Sequence, residues 1–233
     1  MASQIIYALL GGVLPALVWL FFWLREDSLS PEPNRLILKT FLFGMLAVVL
    51  VIPFQKGVEM LLPGLFAVSI IIWAILEEMF KLIAGYFGGL HSVEDNEPID
   101  PIIYMITAAL GFVALENTLF ILGPLLGDQI TQGFITGNLR FIGASLLHVV
   151  CSGFVGIALG FSFYEPKASR TFKVIIGIIF AIVFHSAFNL SIIAFGSVGT
   201  TAAFISVWIL VLYILWAFER TKSIAPENNS GYN

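Results

Sequence analysis

Charge is scarce in this chain. Only 11% of its 233 residues are Asp, Glu, Lys or Arg, while 59% are apolar or aromatic; an average soluble domain carries about 25% charged residues. That is too little charge to cover a water-facing surface of this size, which excludes a soluble enzyme, a disordered chain and a nucleic-acid module. A single cysteine, Cys151, excludes an internal disulfide and with it a disulfide-built secreted scaffold. The formal charge of −4 is too small to name a partner. There is no internal repeat and no low-complexity tract.

What is abundant is apolar sequence in membrane-length runs. A helix needs about 20 predominantly apolar residues to cross roughly 30 Å of hydrocarbon. Seven segments meet that requirement, at about Gln4 to Leu24, Leu36 to Phe54, Gly64 to Gly88, Pro101 to Gly123, Asn138 to Tyr164, Val174 to Phe195 and Thr200 to Phe218. The expected fold is therefore all-α, a polytopic membrane helix bundle forming one domain over 1–219, with a short polar cytoplasmic tail at 220–233. The first run begins MASQ with no basic residue before Arg25 and is longer than a signal-peptide core, so it reads as a retained helix. The connections carry turn residues, among them SLSPEPN and HSVEDNEPID. The 22 phenylalanines read as lipid contact and core filling.

Basic residues set the orientation. With the N-terminus outside, the cytoplasmic segments hold Arg25, Arg35, Lys39, Lys167, Arg170, Lys173, Arg220 and Lys222, against Lys56 and Arg140 outside. This bias favours an outside N-terminus and a cytoplasmic C-terminus.

Six ionisable side chains fall inside the spans: Glu77, Glu78, Lys81, Glu116, His148 and His185. A charged residue at a helix centre costs about 2.5–3.5 kcal/mol on insertion scales, so the set costs on the order of 10 kcal/mol, more than a packing role alone justifies. Lys81 lies one turn from both Glu77 and Glu78, His148 one turn from Ser152, and His185 one turn from Asn189. Each helix thus shows a narrow polar face, to which Glu116 and Asn117 add a fourth. At about 1.5 Å per residue, Glu77 lies roughly 20 Å below the outer end of its span, Glu116 about 10 Å, and His148 and His185 about 15 Å. That layer of polar groups predicts one shared site. Cys151 reads as a small apolar packer, because nothing near it stabilises a thiolate.

Adjacent Glu77 and Glu78 cannot both ionise cheaply in low dielectric unless Lys81 or a metal compensates, which suits one of them to take a proton from water near neutral pH. With histidines to assist and an asparagine amide to donate to an oxyanion, the set suits amide hydrolysis. Stacked carboxylates and histidines equally suit a proton-coupled transporter, although transporters are commonly built from repeats that are not found here. A non-proteolytic scaffold is the third reading.

In order and spacing, EEMFK at Glu77 to Lys81, GFVALEN at Gly111 to Asn117, HVVCSG at His148 to Gly153 and HSAFN at His185 to Asn189 resemble the four motifs of the PrsW family of intramembrane proteases. The likeness extends to LPALVWLFFWLREDSLSPEP and to EPIDPIIY, and spans roughly Leu14 to Asn189. It departs at Pro101, where the family commonly has Gly, and at Ser152, where Thr is also common. The resemblance implies a fold related to the CAAX prenyl protease and bacteriocin-processing superfamily. It implies a multi-pass protein of the bacterial plasma membrane that makes the site-1 cut in a membrane-anchored anti-sigma factor near the outer face, in a stress response. The partner is then a single-span membrane protein in the lipid bilayer.

Carried over residue by residue, Glu77 and Glu78 look like the catalytic pair, with Glu116, His148, His185 and Asn189 in the catalytic set and Lys81, Asn117 and Ser152 supporting it. One mechanism has Glu77 or Glu78 as general base, His148 sharing the proton, and His185 with Asn189 stabilising the oxyanion, with no cofactor. The other has His148 and His185 with one or two glutamates, Glu78 or Glu116, holding Zn2+. No HExxH, rhomboid-like GxSG or aspartyl GxGD motif is present.

Overall fold

The structure, a computed structural model, describes residues 1–26 and 30–225. Its regular elements among these are seven helices: α1 (Ala2–Glu26), α2 (Asn34–Leu61), α3 (Phe66–Gly85), α4 (Asp100–Leu126), α5 (Ile130–Leu139), α6 (Ser145–Phe161) and α7 (Lys167–Thr221). Short π-helical turns, Tyr86–Leu90 and Arg140–Ala144, follow α3 and α5. The chain is an all-α polytopic membrane protein, as its composition requires.

Among the described residues, five helical runs are long and apolar enough to cross a membrane: α1, α2, α4, α5 with α6 as one run of 32 residues, and α7. The difference from the seven expected runs has two physical causes. Helix α3 forms where the third span was expected and runs back along α2, so that Glu94 beyond it bonds Arg35 near the start of α2; its three charges, Glu77, Glu78 and Lys81, set it apart from the five by composition. The sixth and seventh spans run as one 55-residue helical trace, broken at Gly196, where φ is +54° and ψ is −127°. Only a residue without a Cβ adopts that backbone freely, so the break is written into the sequence at that glycine. The fifth span begins earlier than expected, because α5 and the π turn precede α6. At the C-terminal end, Arg220 and Thr221 still belong to α7, while 226–233 of the expected tail lie outside the described residues.

Helix α4 is the axis of the bundle. Every residue from Asp100 to Ala114 is buried, whereas α1, α2 and α7 turn Phe, Leu, Ile and Val side chains outward. A helix apolar on all sides and covered on all sides is what a lipid-solvated bundle places at its centre. It packs against α1, α2 and α6; α7 lies along α6, and α3 fits between α2 and α7. The approach of α2 to α4 is close enough to need glycine: a Cβ on Gly111 would sit 2.0 Å from the Phe41 carbonyl oxygen. Close backbone approach through small residues is the usual means of joining helices in lipid. Here it also fixes the register of Glu116, further along α4.

The loop before α4 is held by Asp100, whose Oδ2 accepts the backbone N–H groups of Asn96 (2.8 Å) and Glu97 (2.7 Å). Beside it, burial first and then the charge of Asp100 push the Asp95 carboxyl up to about 7, against the pull of Arg170. A carboxyl that prefers its proton in the folded loop contributes stability below its unfolded value of 3.8, and that contribution is lost as pH rises through about 7. Asp95→Asn, which mimics the protonated form, is expected to raise the thermal midpoint in detergent by a few degrees at pH 8 and by clearly less at pH 5, where only the first part of the loss has accrued. An equal rise at both pH values would remove the titration as its cause.

Candidate active site

The polar faces expected from sequence meet. Helix α3 supplies Glu77, Glu78 and Lys81, α4 supplies Glu116 and Asn117, α6 supplies His148, and α7 supplies His185 and Asn189. Glu77, Glu78, Lys81, His148 and His185 are all buried. The His148 and His185 rings lie 5.0 Å apart, edge to face.

Adjacent on α3, the two glutamates have different surroundings. Glu78 Oε1 accepts from Lys81 Nζ at 2.6 Å and from His185 Nδ1 at 2.6 Å. Its charge is thus committed to a buried ion pair and to orienting an imidazole. Lys81, which one-turn spacing allowed to face either glutamate, faces Glu78. It also donates to His148 Nδ1 at 2.9 Å and lies over the Phe112 ring. Glu77 faces the other way. Its Oε1 accepts from Gln55 Nε2 at 2.9 Å, while its buried Oε2 accepts no hydrogen bond and lies 3.6 Å from His185 Nε2.

These bonds assign the ring protons. His185 donates from Nδ1 to Glu78, which leaves the Nε2 lone pair toward Glu77. His148 accepts at Nδ1 from the Lys81 ammonium, so its proton sits on Nε2, which is 3.3 Å from Glu116 Oε2. Glu116 is in turn ion-paired to Arg140, whose Nε donates to Asn117 Oδ1 at 2.5 Å; Asn117 Nδ2 donates to Ser145 Oγ at 3.1 Å.

A cavity of about 400 Å³ opens onto this cluster between α3, α5 and α7. Glu77, Glu116, His148, His185, Asn189 and Arg140 line it, and Trp73, Phe120, Phe188 and Phe204 give it aromatic walls. Glu78 and Lys81 do not reach it. Ser152 is not brought in either: one turn beyond His148, its hydroxyl is fully buried and makes no hydrogen bond.

Two residues at the site were missed in the sequence. Arg140 falls within the bounds of the expected fifth span yet reads there as an outer boundary charge; the π turn carries it inward, where its guanidinium lies 3.9 Å from the Phe120 ring centre. Gln55 follows Pro53 near the end of an apolar run and reads as a residue leaving the membrane. An arginine inside a span was a readable signal; nothing in the sequence marked Gln55.

The donors also suit a metal. One atom each from Glu77, His148 and His185 lies within 4.8 Å of the others, and Glu78, Cys151 and His185 form a second such group. The first fits better, because Glu77 Oε2 is a buried oxygen without a partner and His185 Nε2 a free lone pair beside it. Glu78 then occupies the place of the carboxylate that orients a metal-binding histidine. In the second group, Glu78 is already paired with Lys81.

Residues 32–217 match the profile of the PrsW family of intramembrane metalloproteases. The chain belongs to that family. It is 30% identical to Protease PrsW of Geobacillus kaustophilus over 159 residues, 67% of this chain and 65% of that protein. It is 28% identical to Protease PrsW of Bacillus subtilis over 160 residues, 68% of this chain and 67% of the relative. To Protease PrsW of Halalkalibacterium halodurans it is 24% identical over 223 residues, 92% of this chain and 95% of the relative. These relatives are bacterial. No solved structure matches the chain. As a PrsW family member this chain is a multi-pass intramembrane protease, and the transporter and scaffold readings give way to that membership.

Proposed function

We propose that this PrsW family protease cuts a single-span membrane protein near the extracytoplasmic face, with Glu77 as the carboxylate that works on water. Glu77 Oε2 carries this reading: a buried oxygen with no hydrogen bond, facing the His185 lone pair at the floor of an open cavity. An oxygen in that state accepts a proton without first breaking a bond. His185, held in one tautomer by Glu78, lies beside it, and His148 offers an Nε2 proton for the departing amine. Asn189 and the unused N–H groups of Arg140 can donate to the carbonyl oxygen as negative charge develops there. Apolar walls suit a segment drawn from lipid.

Glu77 Oε2 and His185 Nε2 would hold the metal that the family description implies, with His148 joining them once its Nε2 gives up its proton, and an N/O donor set of this kind suits Zn2+. When bound, the metal would polarise the peptide carbonyl and lower the pKa of a water. The side chains of Glu78, Lys81 and Glu116 hold the two histidines in place.

The excess of basic residues in the segments expected to face the cytoplasm supports an outside N-terminus and a cut toward the outer face. The family resemblance supports an anti-sigma factor as the substrate and a stress response as the setting. The test is purified protein in proteoliposomes with a panel of single-span proteins, each cut mapped to its residue. A defined cut in the outer half of the span is expected. A cut confined to the cytoplasmic side would overturn the orientation, and no cut in any candidate, anti-sigma factors included, would overturn the substrate class. Exhaustive chelation decides the metal: loss of activity and its return on adding Zn2+ are expected, and full activity with no bound metal would remove it.

A further inference from the structure

Gln55 belongs to a bracket that ties α2 to α3 at the reactive carboxylate. Its side-chain Nε2 donates to Glu77 Oε1 at 2.9 Å, and its main-chain carbonyl accepts the Trp73 indole N–H at 3.2 Å. Trp73 and Glu77 are one turn apart on α3, and both line the cavity. An amide within an apolar helix is costly unless it is bonded, and the side-chain bond from Gln55 goes to Glu77. The consequence lies in which oxygen is taken. The terminal torsion of a glutamate is broad and roughly two-fold, so an unrestrained carboxylate would present either oxygen to the cavity. With Oε1 held by Gln55, Oε2 is the oxygen left facing His185 Nε2.

We infer that Gln55 is a positioning residue for Glu77, fixing the rotation of its carboxylate so that one oxygen is kept for the reaction. Trp73 supports it by pinning the backbone of α2 at that point. The inference rests on the reading of Glu77 as the reactive group.

The test uses the full chain in proteoliposomes with one cleavable single-span substrate. Gln55→Met keeps the length of the side chain and removes its donor. A fall in kcat of about 10–100-fold, the usual effect of losing a residue that orients a ligand, is expected, with KM unchanged within about two-fold. A residue that served packing alone would not divide the two constants in this way. Trp73→Phe, which keeps a smaller aromatic ring and loses the N–H, is expected to lower kcat by a few-fold and stands in if the Gln55 variant does not fold. Thermal unfolding supplies a readout independent of turnover: the shifts caused by Gln55→Met and Glu77→Leu should be non-additive, since each removes the same bond. Wild-type kcat in Gln55→Met, a loss confined to KM, or additive shifts would overturn the inference. Glu77→Gln in the same assay separates the two levels: if it still cuts, the reading of Glu77 fails, whereas an inactive Glu77→Gln beside a fully active Gln55→Met removes Gln55 alone.

Discussion

Glu77→Gln is expected to fold normally and to lose cleavage by at least about 10²–10⁴-fold, the usual contribution of a general base. The amide is isosteric, and one of its atoms can still meet Gln55, so the cost to folding is small. The loss in function has the same sign by either chemical route, because a neutral amide neither takes a proton from water nor serves as an anionic metal ligand. Glu78→Gln is the instructive contrast. Its carboxylate bonds Lys81 at 2.6 Å and His185 at 2.6 Å and does not line the cavity. Neutralising it leaves a fully buried ammonium without its counter-charge, so lost activity should come with a lowered thermal midpoint. Both variants are then inactive, and midpoint and yield tell them apart. A stable, inactive Glu78→Gln beside an active Glu77→Gln would exchange the roles of the two residues.

The sequence carried the convergence of the site but not its wiring. Carboxylates and imidazoles inside lipid-facing runs are costly enough to be visible in one dimension, and one-turn spacings give their faces, so the meeting of Glu77, Glu116, His148 and His185 was legible. Which glutamate faces the cavity was not. Helical spacing puts Lys81 within reach of both, and the decision is made by His185 and Gln55, which lie on other helices. Arg140 and Gln55 escaped because polar residues near the end of an apolar run have an ordinary reading as boundary residues; a π turn and a proline-bearing helix carried them inward instead. The fold was legible in the same measure. Apolar length gave the helices, but the three charges of α3 set it apart from the other spans by composition, and one glycine decides whether α7 is a single helix or two.

The second large effect concerns stability. Lys81 is fully buried, 2.6 Å from Glu78 and 2.9 Å from His148 Nδ1. Lys81→Met fills a similar volume and is expected to destabilise the protein by about 3–5 kcal/mol, because breaking a buried pair leaves the remaining charge uncompensated. Removing both charges in Glu78→Gln/Lys81→Met should recover most of the loss, since a buried pair is often worth little more than a neutral replacement. Activity should not recover with it. His185 would lose the carboxylate that fixes its tautomer and His148 the donor at Nδ1, so both imidazoles would be free to present the wrong nitrogen to Glu77 and Glu116. The double variant, measured for thermal midpoint and for cleavage, thus separates two roles of one ion pair: a stable and inactive protein assigns it to orienting the histidines, and recovery of both properties would show that the pair only neutralises itself.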